Sequence, residues 1–307
     1  MTFTQKLLTV QLVLGTIEAG APAAPFHGPN GQVGNTLTLE GLRVWAQIDQ
    51  QGPRAGAKAQ ITIFGMTFSQ MMAANTFSAW PNVQNDAQVL LYAGDASGKS
   101  LVFSGTIIDA IADFNAQPDT AFHITAVCSM GAQMTPLPPT SVEGSVNAAA
   151  LLQALASQCN PPLSFENNSN VNVQLSNPHF DGSAMDQIRA IVSAAQINYS
   201  LINGTLAIWP KGQSRQVGEG RGQGITLTPQ TGLVGYPTFG RGRIGVKVEF
   251  NPAIQYGMNI TIAGSQITPA NGTYSLNVIK YSLQSMTPNG EWFMDLAMWP
   301  QASDTSN

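Results

Sequence analysis

Thr36-Leu37-Thr38-Leu39-Glu40-Gly41-Leu42-Arg43-Val44-Trp45-Ala46-Gln47-Ile48 is the stretch that decides the fold. Before the glycine the apolar residues are Leu37 and Leu39; after it they are Leu42, Val44, Ala46 and Ile48, on the other parity. Successive side chains of a strand point to opposite faces, so each half reads as a half-buried strand. A slip of one residue would turn every side chain over, so the change of phase predicts a β-bulge at Gly41.

The same period of two recurs on both sides. Leu7 to Leu14 alternates with Thr and Gln and reads as a first strand, not as a secretory signal: Gln11 interrupts its apolar run and Glu18 sits at the would-be cleavage site. Ala59 to Phe64 is another strand. Phe68, Met71 and Met72 have helical spacing and predict a short helix within Thr67–Asn75. Val89 to Tyr92 and Leu101 to Phe103 flank a Gly-Asp-Ala-Ser-Gly-Lys turn and predict a hairpin, with Ile107 to Phe114 extending its second arm and Ala121 to Cys128 following. Short strands at close spacing with one helix suggest a small barrel over residues 1–135. Three prolines among Met134–Ser141 then predict a linker.

The period changes next. Ala148, Leu152, Leu155, Ala156 and Cys159 form a helical stripe that Ser145 could cap. Leu163-Ser164-Phe165 and Val171 to Leu175 read as extended. Ser183 with Asp186 predicts a capping box before the stripe Met185, Ile188, Val192, Ala195. Asn203-Gly204 between two alternating runs is a hairpin signal, because a type I′ turn needs φ > 0 at both central residues. Together these predict a β-α-β-α-β-β unit over 141–212. The Gly-rich Lys211–Gly224 reads as a flexible loop carrying Lys211, Arg215 and Arg221. Alternation resumes at Ile244–Phe250, Met258–Ile262, Tyr274–Val278 and Trp292–Met298, predicting a second small antiparallel barrel over 225–303. The fold class is therefore mainly β with an α/β insert.

Composition narrows the function. Of 307 residues, 10% are charged and 43% hydrophobic, with formal net charge −4. Disorder needs low hydrophobicity with high charge, so that class is excluded. Thirteen Lys and Arg are too few for a phosphate-neutralising stripe of a DNA-wrapping protein. No apolar run approaches the roughly 20 residues of a membrane span. A surface this poor in charge protects a free monomer badly, which points to a part of an assembly.

The strings that look chemical fail on context. Gly94 to Ser100 resembles a phosphate loop, but it has three residues between its glycines and a strand after its Lys-Ser where a helix is needed. Gly240-Arg241-Gly242-Arg243-Ile244-Gly245 matches a dinucleotide string but also leads into a strand; its arginines could instead meet a partner or another subunit. His27, His123 and His179 are far apart, and no Cys or His pair has zinc-ligand spacing. Asp109 and Asp113 lie four apart in a strand, about 13 Å. Cys128 and Cys159 read as buried free thiols of a reducing compartment. Trp45, Trp80, Trp209, Trp292 and Trp299 read as core or interface packing. No catalytic, cofactor-binding or metal-binding residue is assigned, and no enzyme activity is expected.

A resemblance gathers these pieces. Asn35–Arg43 with Ile48 and Gly52, then Ile61–Met66 with Met71-Met72, resembles the opening barrel of the baseplate hub proteins of contractile-tailed bacteriophages. Gly232–Pro237, Val246–Phe250, Asn251-Pro252, Gly257–Ile260, Gly272–Leu276 and Glu291-Trp292 resemble that family's second barrel. The resemblance implies two tube-like barrels per chain and a homotrimer, hence a ring of six barrels. That ring would join a six-fold tail tube, or its initiator, to a three-fold central spike, among other baseplate proteins. The tape-measure protein and DNA would touch it only in transit through the lumen. It would be assembled in the bacterial host cytoplasm into the virion tail, without stable membrane association. Two other readings remain open at this stage: a peptidoglycan hydrolase of the tail tip, needing a carboxylate pair brought together by the fold, and a secreted carbohydrate-binding β module. The middle unit also resembles ring-building domains of secretins.

Overall fold

The computed structural model describes residues 4–13, 26–27, 33–52, 56–74, 87–115, 118–128, 130–217, 224–240 and 242–300. The chain divides into two compact units, one of residues 1–49, 57–128 and 281–293, the other of residues 50–56, 129–280 and 294–307.

The first unit is a sheet around an apolar core. Its strands are β1 (Leu7–Val13), the two-residue β2 (Phe26–His27) and β3 (Val33–Gly34), β4 (Thr36–Leu39), β5 (Arg43–Gln50), β6 (Ala57–Phe64), β7 (Gln88–Asp95), β8 (Gly98–Asp113) and β9 (Ala121–Val127). A short helix, α1 (Phe68–Ala74), follows β6 as the spacing predicts; it buries Met71 but leaves Phe68 and Met72 exposed. From β5 the order is β5-β6-β9-β8-β7-β1-β4. The inward positions are the alternating ones: Leu8, Val10 and Leu12 on β1, Val44, Ala46 and Ile48 on β5, Ile61 and Ile63 on β6, Phe122 and Ile124 on β9.

The expected bulge at Gly41 is a corner instead. Gly41 has φ +70°, and the strands on its two sides have different neighbours: β4 pairs with β1, while β5 lies beside β6. A change of partner does what a bulge would do, since each half is free to bury its own parity.

The second unit has two parts. Its helices and small strands are α2 (Met130–Met134), β10 (Thr140–Ser141), β11 (Ser145–Asn147), α3 (Ala148–Gln158), β12 (Ser164–Glu166), β13 (Gln174–Ser176), β14 (His179–Phe180), α4 (Ala184–Ala194), β15 (Ile197–Ile202) and β16 (Thr205–Pro210). Leu152, Leu155 and Ala156 of α3 meet Met185, Ile188 and Ile191 of α4 over the sheet β12-β16-β15. The capping box at Ser183 and Asp186 is present. So is the type I′ hairpin, with φ of 52° at Asn203 and 71° at Gly204. The cap of α3 lies two residues later than expected: Asn147, not Ser145, accepts from the Ala149 N–H at 2.7 Å, because Ser145 is held in β11 against Ser176. The proline stretch is tied down: Pro136 bridges Ser183, and Gln187 Nε2 donates to the Pro138 carbonyl at 3.0 Å.

The other part carries β17 (Ile225–Leu227), β18 (Leu233–Gly240), β19 (Arg243–Glu249), β20 (Asn259–Ile262), β21 (Gly272–Ser285) and β22 (Trp292–Pro300), in the order β18-β19-β22-β21 with β20 also beside β21. The division between the units passes through β21 at Lys280/Tyr281 and through β22 at Phe293/Met294. The sheet is not wholly antiparallel as expected, since β17 runs parallel to β20. Within the supposed flexible loop, residues 211–217 are held: Arg215 and Val217 are buried, and the Arg215 N–H donates to the Gly257 carbonyl at 2.8 Å. The rest of that loop, with Arg221, lies outside the described residues.

Candidate interaction surfaces

The phosphate-loop look-alike is the β7–β8 hairpin turn. Asp95 Oδ1 accepts from the Ser97 N–H at 2.8 Å; hydrogen bonds from Ser97 hold the Asp95 carboxyl below the usual carboxylate range. Lys99 turns away from any phosphate cradle. Its Nζ donates to Glu40 Oε1 at 3.0 Å and to the buried Thr9 Oγ1 at 2.6 Å, while Thr9 donates to the same Glu40 oxygen. The hydrogen bond from Lys99, then that from Thr9, hold the Glu40 carboxyl low. A lysine that suggested nucleotide binding thus ties β8 to β1 and to the residue that follows β4. The dinucleotide look-alike is likewise a strand-to-strand turn, between β18 and β19, with Arg241 outside the described residues.

The remaining flagged residues scatter. Cys128 and Cys159 are buried, as expected, and are not joined in a disulfide; burial pushes the Cys159 thiol up. His123 lies on β9 with Nδ1 3.1 Å from Thr62 Oγ1, and His179 lies in β14. The His27 side chain and Trp80 lie outside the described residues. Trp209 is buried edge-on to Tyr256, ring centroids 6.2 Å apart. Among the described residues no group of three His, Cys, Asp or Glu could hold a metal ion, and no helix is long and apolar enough to cross a membrane.

What the structure assembles instead are surfaces. On the outer face of the first unit, the strand registers form rows across β8, β9 and β6: Asp109–Thr125–Gln60, Ile111–His123–Thr62 and Asp113–Ala121–Phe64. Trp45 meets Phe64 edge-on at 5.0 Å. Arg43 lies 4.0 Å from the Phe64 ring centroid and pairs with Asp119 at 3.2 Å. A shallow groove of about 370 Å³ between Trp45 and His123 is walled by Gln47, Gln60, Thr125 and Gln284. Ile108 and Ile111 stand exposed on β8.

The second unit has an outer groove of about 630 Å³ over β18, β19 and β22. Tyr236, Arg243, Lys247 and Lys280 rim it, and Gly245 and Ala297 lie among its lining. Tyr236 is 61% and Phe239 58% exposed, the values of side chains left for a partner, not a core. Away from the groove, Arg215 binds Glu166 in a two-pronged ion pair, Nε to Oε1 at 3.0 Å and Nη2 to Oε2 at 2.8 Å. Sequence reading missed this pair because its members are 49 residues apart and nothing local marks them. The exposed strip on β8 was legible as an alternation, but its outward face was not.

Solved structures with the same fold include tail proteins. The tail protein from Neisseria meningitidis MC58 superposes with TM-score 0.60 at 9% identity, covering 96% of each chain. The 43 kDa tail protein of prophage MuSo2 from Shewanella oneidensis gives 0.57 at 8% identity, covering 97% of each. The E. coli c3393 protein, described as a type VI secretion component similar to T4 bacteriophage tail proteins gp27 and gp5, gives 0.55 at 7% identity over 85% of this chain and 74% of that one. At such identities the likeness is one of fold, and the fold is that of β-rich tail proteins. No curated protein sequence matches the chain.

The particular family comes from sequence. The model of the family described as baseplate hub gp41 matches residues 27–293, most of the chain. The chain belongs to that baseplate hub family, a structural family of the phage tail, which implies a place in the virion tail among other baseplate proteins.

Proposed function

We propose that the chain is a trimeric hub joining a six-fold tail tube to a three-fold spike, with a lumen through which DNA and the end of the tape measure pass. It acts as a structural adaptor and not as an enzyme. Residues 1–135 and 225–303 are the two tube-like barrels and 141–212 the small α/β unit between them.

One observation carries this reading. In the first unit the run β5-β6-β9-β8-β7-β1-β4 begins and ends on strands that follow one another in the chain. Only Glu40, Gly41 and Leu42 separate β4 from β5, and so short a link spans at most about 15 Å. A run whose first and last strands are tethered this closely favours a curled, tube-like wall over an open sheet. Two such walls per chain give six in a trimer, which matches a six-fold tube while keeping three-fold symmetry for a spike. A low-charge surface suits the purpose, because Asn, Gln, Ser and Thr can be covered by neighbours without stranding full charges.

Light scattering with negative-stain imaging tests it. A mass three times the 32.5 kDa of one chain, with rings in the images, is expected. A monomer mass at every concentration, without rings, overturns the reading.

A further inference from the structure

We propose that copies of this chain join head to tail by seating the β8 strip Asp109, Ile111, Asp113 of one copy in the groove over Arg243, Gly245, Lys247 of the next. The proposal rests on the oligomeric hub reading above and names the contact that would hold it together.

The two surfaces match position by position. Asp109, Ile111 and Asp113 point to one face of β8, as the partners Thr125, His123 and Ala121 on β9 show. Arg243, Gly245 and Lys247 share one face of β19, opposite the buried Ile244, Val246 and Val248. In each set the outer two residues are four apart on a strand, about 13 Å. In the first set they are acids around an exposed isoleucine. In the second they are bases around a residue with no side chain. Gly245 therefore puts no side chain of its own between the two cations, and its cross-strand partner Thr238 leans into that place, with Oγ1 2.9 Å from where a Cβ would stand. Ile111, 45% exposed, packs on the low floor that Gly245 and Thr238 make, with Asp109 beside one cation and Asp113 beside the other.

Charge supports the same pairing. The groove presents Arg243, Lys247 and Lys280 against one carboxylate, Asp295, in a chain whose net charge is −4. Among the described residues neither Asp109 nor Arg243 belongs to an ion pair. Tyr236 and Phe239 on one side and Ile108 on the other supply apolar surface around the charges. The contact is heterologous, since the two surfaces differ, and a heterologous contact closes into a ring when its rotation divides the circle.

Charge reversal and its rescue test the contact. Asp109→Lys and Arg243→Asp are each expected to weaken self-association at least about tenfold by sedimentation and light scattering, with circular dichroism unchanged. The two together restore it to within about threefold of the unmutated chain, as a direct pair requires. Ile111→Ser weakens it without any change of charge. An oligomer that ignores both reversals overturns the contact and leaves the groove to another tail protein. Single reversals that dissociate the oligomer without mutual rescue overturn the pairing too. A wild-type chain that is monomeric throughout removes the hub reading itself, an outcome read before any variant is made.

Discussion

The α/β part of the second unit and the two sheet regions treat water differently. Ten large apolar side chains are exposed among the described residues, from Trp45 and Phe68 to Met286 and Trp299, and none lies between residues 130 and 217. The α/β part buries its apolar stripes against its own helices and sheet. The sheets bury one face and leave Trp45, Ile108, Ile111, Tyr236 and Phe239 outside. A finished surface and an unfinished one thus occur in one chain, and an apolar surface left open calls for a covering partner.

Breaking the α/β part from within has the largest expected effects, about a few kcal/mol whether a buried ion pair or a core side chain is removed. Arg215 and Glu166 keep 8% and 21% of their side-chain surface exposed. Arg215→Ala leaves Glu166 without its cation and is expected to cost about 3 kcal/mol, the lower end for a broken buried pair; thermal unfolding followed by circular dichroism reads it. Next, Leu152→Ala against Ile111→Ala puts the comparison into one experiment. Leu152 is fully buried, so its truncation costs about 2–5 kcal/mol, whereas truncating exposed Ile111 shifts stability by about 0.5 kcal/mol or less and shows up in association. Equal losses would erase the distinction between finished and unfinished surfaces.

Cap removal is smaller. Ser183→Ala and Asn147→Ala each lose a helix cap worth about 1 kcal/mol, and urea midpoints should fall for both. The smallest effect is acid sensitivity. Glu40, Asp95 and Asp186 have carboxyls held below their ordinary values of 4.5, 3.8 and 3.8 by Lys99, Ser97 and Ser183 respectively. A depressed folded pKa contributes stability that is complete above the ordinary value and lost as pH falls through the folded one. The melting temperature should therefore decline below about pH 4.5, and Glu40→Gln should flatten the upper end of that decline.

The α/β part was legible because its rules are local. A capping box spans four residues and an Asn-Gly turn two, and both stand where their residues put them. The strands were legible too, as alternation. What alternation does not carry is pairing. The corner at Gly41 has the same parity change as a bulge, and only the choice of neighbours, β1 for one half and β6 for the other, tells them apart. The parallel run of β17 beside β20 is hidden for the same reason. Arg215 reads as part of a loop because its glycine-rich surroundings say loop, while its carboxylate stands far upstream. The match between the strips on β8 and β19 needed the outward face of each strand, which sequence parity alone leaves ambiguous.

The first unit is completed by residues 281–293, which follow its other strands after roughly 150 residues of intervening chain. At about 5–20 residues per second, a ribosome needs roughly 8–30 s to supply them. During that time β5, whose place in the finished order is between β6 and β21, waits with one edge unpaired. The unit can therefore be completed only after residues 281–293 have been made, and a chain stopped before them would carry a bare strand edge. Translation itself sets the moment at which this subunit becomes fit to join an assembly.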